Sequence, residues 1–218
     1  MDHPTDLRYA SPRMSNKPGR PRDTSLDTAI AEAVETVLLS SGYAAVTMER
    51  VAATAGTTRT ALYRRFTGRI DLVTSAVVTR FGTDPTVDTG SLRGDLIDLQ
   101  RTQQAFFQDP VVQASMAGLL GDIRADPRLT ELFHDRFMGP RRTSTAAMLQ
   151  RAVDRGEIPP VADPALISDM LTGPLLLRSA LPAVGPIDDT LLAATVDSAI
   201  HLLNSPVVPR LEETAREP

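Results

Sequence analysis

Apolar residues recur at helical spacing from residue 24 onward. Ile30, Ala33, Val34, Val37 and Leu38 form one stripe, which predicts a helix from Thr24 to about Ser41. Thr24 with Asp27 makes an N-cap pattern, and Gly42 stops the helix. A second helix begins behind Thr47, whose hydroxyl can cap it, and ends at Gly56 after two turns. Met48, Val51, Ala52 and Ala55 face inward on it. A third, short helix follows Thr58, with Leu62 and Phe66 inward. After Thr67-Gly68 a longer helix runs from about Arg69 to Phe81 and buries Leu72, Val73, Ala76 and Val77. Gly82 to Gly90 reads as a loop. Beyond it the pattern predicts helices over 92–107, 110–124, 127–155, 164–181 and 188–204. Asp109-Pro110, Asp126-Pro127 and Asp163-Pro164 each place an acidic cap before a proline at the first helical position. Gly173-Pro174 predicts a kink in the fourth of these helices. No stretch alternates as a strand does, and no internal repeat is visible. The fold class is all-α, with about nine helices.

Composition agrees with this and adds an asymmetry. Hydrophobic residues make up 42% and charged residues 23% of the 218, which suits folded domains rather than a disordered chain. No apolar run approaches the roughly 18 residues of a membrane span, and no membrane partner is expected. The first residues lack the apolar core of a secretory signal, cysteine is absent, and the expected location is cytoplasmic. Residues 1–82 carry 11 Lys+Arg against 8 Asp+Glu; residues 83–218 carry 12 against 19. A basic head on an acidic body implies an anionic partner for the head alone. The only lysine is Lys17, in "KPGRPR", within a proline-bearing segment, 1–22, expected to be a disordered basic arm. "MSNKPGRPRD" reads like a natural start, so Met14 is the expected initiator. The tail after Pro206 is expected to fray.

The chemistry concentrates in "VTMERVAATAGTTRTALYRRFTGRIDLV", Val46 to Val73, which holds five arginines. Two short helices meet at Gly56, with the small Ala52 where they cross and Leu62 as an apolar anchor on the second. A helix-turn-helix needs this set. Its second helix would lay an outer face of Arg59, Thr60, Tyr63, Arg64 and Arg65 in a major groove. Arginine forks match guanine edges or phosphates, and a tyrosine hydroxyl suits phosphate. Thr47 and Thr58 sit at helix N-termini, where backbone N–H groups already favour an anion. Arg69 opens the next helix and is expected to point back toward the same backbone. The competing reading is a three-helix packing unit with a solvated basic face.

This segment resembles the N-terminal domain of the tetracycline-repressor (TetR) family of transcriptional regulators. The residues that carry the resemblance are Thr47, Ala52, Ala55-Gly56, Leu62-Tyr63, Phe66 and Arg69. Two departures are mild: Arg69 stands where lysine is common, and Thr58 where serine is. The likeness covers 24–80; later residues resemble the family in all-helical layout, and "TGPLLLRSALPAVGPIDDTLLAATVDSAIHLL" is similar to the last two helices of one C-terminal subtype. It implies a helix-turn-helix DNA-binding domain over 23–68 and a helical regulatory and dimerisation domain over 69–218. Thr47, Thr58, Tyr63 and Arg69 would hold phosphates. Arg59, Thr60, Arg64 and Arg65 would approach base edges, Arg65 sitting on phosphate if not on a base. Arg20 and Arg22 would enter the adjacent minor groove. The partner would be double-stranded DNA with a palindromic operator.

A two-fold dimer would bring two such units to adjacent grooves. The helices over 164–181 and 188–204 are apolar on more than one face, as a homodimer seam requires. A cavity for a small apolar or amphipathic effector is the family's feature; Phe106, Phe107, Met116, Leu120, Phe133, Phe137, Met138 and Met148 are its candidate lining. Arg178, alone in "LLLRSAL", would anchor an anionic ligand or pair with Asp169 or Asp197 at a dimer rim. No metal site and no cofactor are expected, since His3, His134 and His201 stand apart from ligand-spaced partners. Asp188-Asp189 reads as a helix cap rather than an acid/base pair, and no phosphate loop or nucleophile elbow occurs. The expectation is a transcriptional repressor released by a ligand, and not an enzyme. The alternatives are a constitutive or architectural DNA-binding protein without ligand, and a helical enzyme.

Overall fold

The structure, a computed structural model, describes residues 24–82 and 87–205. Arg20, Arg22, the Met14 start and the tail after Pro206 lie outside the described residues.

Helix α1 (Thr24–Ser41) buries Ile30, Ala33, Val34, Val37 and Leu38 against α2 (Met48–Thr54), α4 (Arg69–Phe81) and α6 (Pro110–Ala125). It ends where Gly42 takes φ 78° and donates its N–H to Leu38. A 3₁₀ turn, Tyr43–Ala45, leads into α2; α3 (Arg59–Tyr63) follows. The body is α5 (Leu92–Gln108), α6, α7 (Pro127–Phe133), α8 (Gly139–Asp154), α9 (Pro164–Ala180) and α10 (Asp189–Leu203). No strand occurs among the described residues. Asp109, Asp126, Asp163 and Asp188 cap the helices they precede, each accepting a backbone N–H from the first turn. Helix α9 runs through Gly173-Pro174 as one element.

The helix expected over 127–155 spans nearly that range but is not uniform. His134–Met138 forms a π turn between α7 and α8, and Gly139 donates its N–H to the His134 carbonyl five residues back. Pro140 supplies the physical reason: its ring would press on the carbonyl four residues before it, and it has no N–H to donate. Widening the preceding turn by one residue relieves that contact.

Two apolar cores hold the chain. The first runs without interruption from α1–α4 through Phe106 and Phe107 of α5 and Val112 and Met116 of α6 to Phe137 and Leu175. The second joins Leu92 and Leu96 to Met148 and Leu149 of α8, Ile167 and Leu171 of α9, and Val196 and Leu203 of α10. The first four helices therefore share their core with the body. Their orientation is tied to α6 and to the π turn by packing.

Candidate nucleic-acid interface

The turn between α2 and α3 has the geometry that its residues demand. Gly56 takes φ 64°, a left-handed conformation that a Cβ would strain. The chain then folds back so that Thr57 donates its N–H to the Ala52 carbonyl at 2.9 Å. Ala52 and Leu62 are buried at the crossing. Thr47 and Thr58 are the N-caps of α2 and α3, accepting from the Arg50 and Ala61 N–H groups at 3.2 Å each. Each cap hydroxyl keeps its own proton for an outside acceptor.

Six of the expected contact residues are exposed: Thr47, Thr58, Arg59, Thr60, Tyr63 and Arg64. Tyr63 is 54% exposed, large for an aromatic side chain. Arg59 is held over the Tyr63 ring at 6.0 Å and meets Glu49 of α2 at 2.6 Å. Arg50, which the sequence reading did not single out, is exposed on α2 and donates to Ser41 at 2.6 Å.

Two expected contacts are turned away. Arg65 follows the buried Leu62 by three residues, so it falls on the inner side of the turn and pairs with Asp27 of α1. Arg69 does not point along the α3 face; its Nε and a terminal nitrogen both donate to Asp122 Oδ2 on α6, at 3.1 and 2.6 Å. Tyr43 donates its hydroxyl to the same oxygen at 2.9 Å, and the Arg69 guanidinium lies 4.7 Å from the centre of the Tyr43 ring. Burial first, and then the Asp122 hydrogen bond, push the Tyr43 phenol above its ordinary range, so it stays a donor. One turn before Asp122, Gly118 leaves the space that the Tyr43 ring occupies: a Cβ there would lie 2.1 Å from the ring.

A second tie lies on α4. Asp71 accepts from the Thr67 N–H at 2.9 Å and the Thr67 hydroxyl at 3.2 Å, which fixes the α3–α4 turn, and it pairs with Arg136 of the π turn. Tyr43, Asp71, Gly118, Asp122 and Arg136 carry no local pattern that marks them, because their partners lie 53 to 79 residues away for most of these contacts.

The described frame carries the helix-turn-helix and the all-helical body in the order that two family models require. One, described as bacterial regulatory proteins, tetR family, matches residues 30–76; the other, a tetracyclin repressor-like C-terminal domain, matches 86–199. The chain belongs to the TetR family of transcriptional regulators. It is similar to a DNA-binding transcriptional repressor TetR of Mycobacteroides abscessus, at 32% identity over 176 residues, covering 78% of this chain and 89% of that one. An HTH-type transcriptional regulator of Mycobacterium tuberculosis is 30% identical over 203 residues, 91% of each chain. Among solved structures, the TetR family transcription regulator SCO0332 matches with a TM-score of 0.67 at 27% identity, over 81% of this chain and 97% of that one. The transcriptional regulator FadR from Bacillus subtilis, solved in complex with stearoyl-CoA, shares the fold at a TM-score of 0.58 and 16% identity, over 82% of this chain and 97% of that one.

The body of this TetR-family chain encloses a small cavity of about 40 Å³ between α5, the π turn, α8 and α9. Phe106, Phe107, Phe137 and Met138, four of the candidate lining residues, surround it together with Leu99, Gln103, Arg141, Thr145, Ser168 and Thr172, which were not foreseen. Arg141 lies 3.7 Å over the Phe137 ring, and Gln103 Oε1 is buried without a hydrogen-bond partner. A second void of about 20 Å³ lies across the Phe106–Phe137 pair, lined by Met116, Phe133 and Thr74 among others. Three expected lining residues are elsewhere. Leu120 is exposed on α6, on an open surface depression shared with Pro127, Thr130 and Glu131 of α7; Met148 is fully buried in the second core. Arg178 neither lines the cavity nor meets an acid: it donates to the Pro186 carbonyl and lies against Gly185, because the α9–α10 connection folds back over it. Asp169 and Asp197 pair with Arg142 and Arg93 instead.

No helix among the described residues is long and apolar enough to cross a membrane, and no group of three His, Asp or Glu side chains there could hold a metal ion.

Proposed function

We propose that the chain is a dimeric operator-binding repressor that reads double-stranded DNA through α3. The observation that carries this is the exposed set Arg59, Thr60, Tyr63 and Arg64, flanked by the capping hydroxyls of Thr47 and Thr58. Arg59 and Arg64 read base edges, Thr60 assists them, and Thr47, Thr58 and Tyr63 hold phosphates. Arg20 and Arg22 follow the adjacent minor groove. The two copies meet through α9 and α10, whose inner sides fill the second core while Met170, Leu177 and Leu181 stay exposed. Selection of duplexes from a random pool by the full-length protein, with sedimentation of the bound species, tests this. Palindromic half-sites bound by a dimer are expected; binding without sequence preference, or by a monomer, overturns it.

An apolar or amphipathic effector would enter between Phe106, Phe137 and Met138, and would have to displace these side chains, since about 40 Å³ holds only a few waters. That small volume favours a second reading, in which the body is a packed dimer scaffold and DNA binding is constitutive. Screening apolar acids, amides and phenols for a rise in melting temperature separates the two. A ligand that raises it and weakens operator binding supports the switch; no stabilising ligand across these classes favours the scaffold.

A further inference from the structure

Arg69 is an expected phosphate contact that is instead tied directly to the body, and its connection is competitive in kind. Its guanidinium is bound by a carboxylate oxygen, Asp122 Oδ2, which also takes the Tyr43 hydroxyl. Three donors therefore converge on one oxygen. The ring of Tyr43 lies against the guanidinium, and Gly118, four residues before Asp122 on α6, provides the gap that admits that ring. The cluster ties together the turn between α1 and α2, the first residue of α4, and the α6 rod of the body. It thus holds the helix-turn-helix unit at both of its ends.

Asp122 takes the side-on fork of the guanidinium, Nε and one terminal nitrogen, so while the pair holds that fork is not offered to a phosphate and the side chain is directed at α6. Yet the contact is not sealed. Arg69 is 35% and Asp122 31% exposed, so water and salt reach the pair, and pairs this exposed hold weakly. A polyanion can draw Arg69 away; the body can hold it back. Nothing else in the cluster needs to break, since Tyr43 keeps its bond to Asp122 when Arg69 leaves.

We infer that Asp122 and Tyr43 form a latch that withholds Arg69 from DNA, so that α6 sets the affinity of the DNA-binding unit by holding or releasing one arginine. This rests on the reading of α2–α4 as the DNA interface. In the latched state the protein binds duplex without Arg69; in the released state Arg69 adds a phosphate contact at the start of α4. Any event that displaces α6 relative to α1 and α4 acts on this contact before it acts on α3.

The test uses the full-length protein and a fluorescent duplex of random sequence, about 30 base pairs long so that both copies of a dimer can engage it. Affinity is measured by anisotropy at low salt for wild type, Asp122→Asn, Arg69→Ala and the double variant. Asp122→Asn is expected to bind about two- to fivefold tighter per protomer, which is the strength of an exposed pair expressed as an equilibrium factor. The gain must vanish in the Arg69→Ala background, because there is then no arginine to release. Asp122→Ala, which removes the acceptor altogether, repeats the measurement should the asparagine variant not fold. The latch is overturned by no gain in either variant, or by an equal gain with and without Arg69, which would be the effect of removing a negative charge. Failure of the wild-type protein to bind duplex at low salt overturns the DNA interface itself, and the latch with it.

Discussion

The carboxylate of Asp71, only 1% exposed on α4, is paired with Arg136 of the π turn. The turn that lines the body cavity with Phe137 and Met138 is thereby joined to the turn that follows α3, since Asp71 also holds the Thr67 N–H. Removing Arg136 leaves a buried carboxylate with Thr67 as its remaining donor. Breaking a buried pair costs about 3–5 kcal/mol, and the half-exposed guanidinium reduces this to about 2 kcal/mol for Arg136→Ala. The double variant Asp71→Asn/Arg136→Ala should be less destabilised than Arg136→Ala alone, because an amide needs no counter-charge. Urea unfolding of the variants measures this. Equal loss in the single and double variants would mean that the charge pairing is not what holds the turn.

Gly118 is expected to show an inverted response. Alanine in place of glycine inside a helix ordinarily stabilises by about 0.5–1 kcal/mol. Here the new Cβ would meet the Tyr43 ring at 2.1 Å, so Gly118→Ala must push the ring out and lose about 1–3 kcal/mol. In a Tyr43→Ala background the same change should stabilise. A melting series across the four proteins checks the reversal of sign.

Arg59 and Arg64 differ in their freedom. Arg59 is tethered to Glu49 and stacked near Tyr63, which pre-orients it; if it reads a base, Arg59→Ala costs about 1–3 kcal/mol on selected sequences and little on random ones. Gel-shift titrations on both kinds of duplex make the comparison. Equal losses on both would assign Arg59 to the phosphate backbone.

Stability should depend on acid through Asp95, buried at the start of α5. Burial alone would raise its pKa, but the Thr89 hydroxyl and N–H, at 2.7 and 2.6 Å, and Arg155 at 3.2 Å hold the carboxyl below its ordinary 3.8. A carboxylate held low in the folded state contributes stability above its ordinary pKa and loses it as pH falls through the folded value. Asp95→Asn should therefore be less stable than wild type at neutral pH, by about 2 kcal/mol, and the difference should close below the ordinary value of 3.8. Melting temperatures of both proteins from neutral pH down to the acid transition test this; a constant difference would exclude Asp95 as the titrating group.

The elements of α1 to α4 were legible in the chain because local rules alone decide them. Thr47 and Thr58 cap, Gly56 turns left-handed, and Leu62 and Phe66 face inward, each within a few residues of its partner. The exposed face of α3 follows from the same helical period. The fates of Arg65 and Arg69 were not legible, because a charged side chain at a helix end takes whichever anion folding brings near it, and Asp27 and Asp122 are distant in sequence.

What the sequence determined by itself is thus the type and order of helices and the exposed face of α3, since short-range sterics, capping and periodicity act along the chain. Tertiary structure alone decided the π turn's place beside the cavity, the fit of Tyr43 against Gly118, and which arginines are free or tethered. Those outcomes depend on close packing between helices far apart in the chain, where a gap of one methyl group or the reach of one guanidinium sets the result.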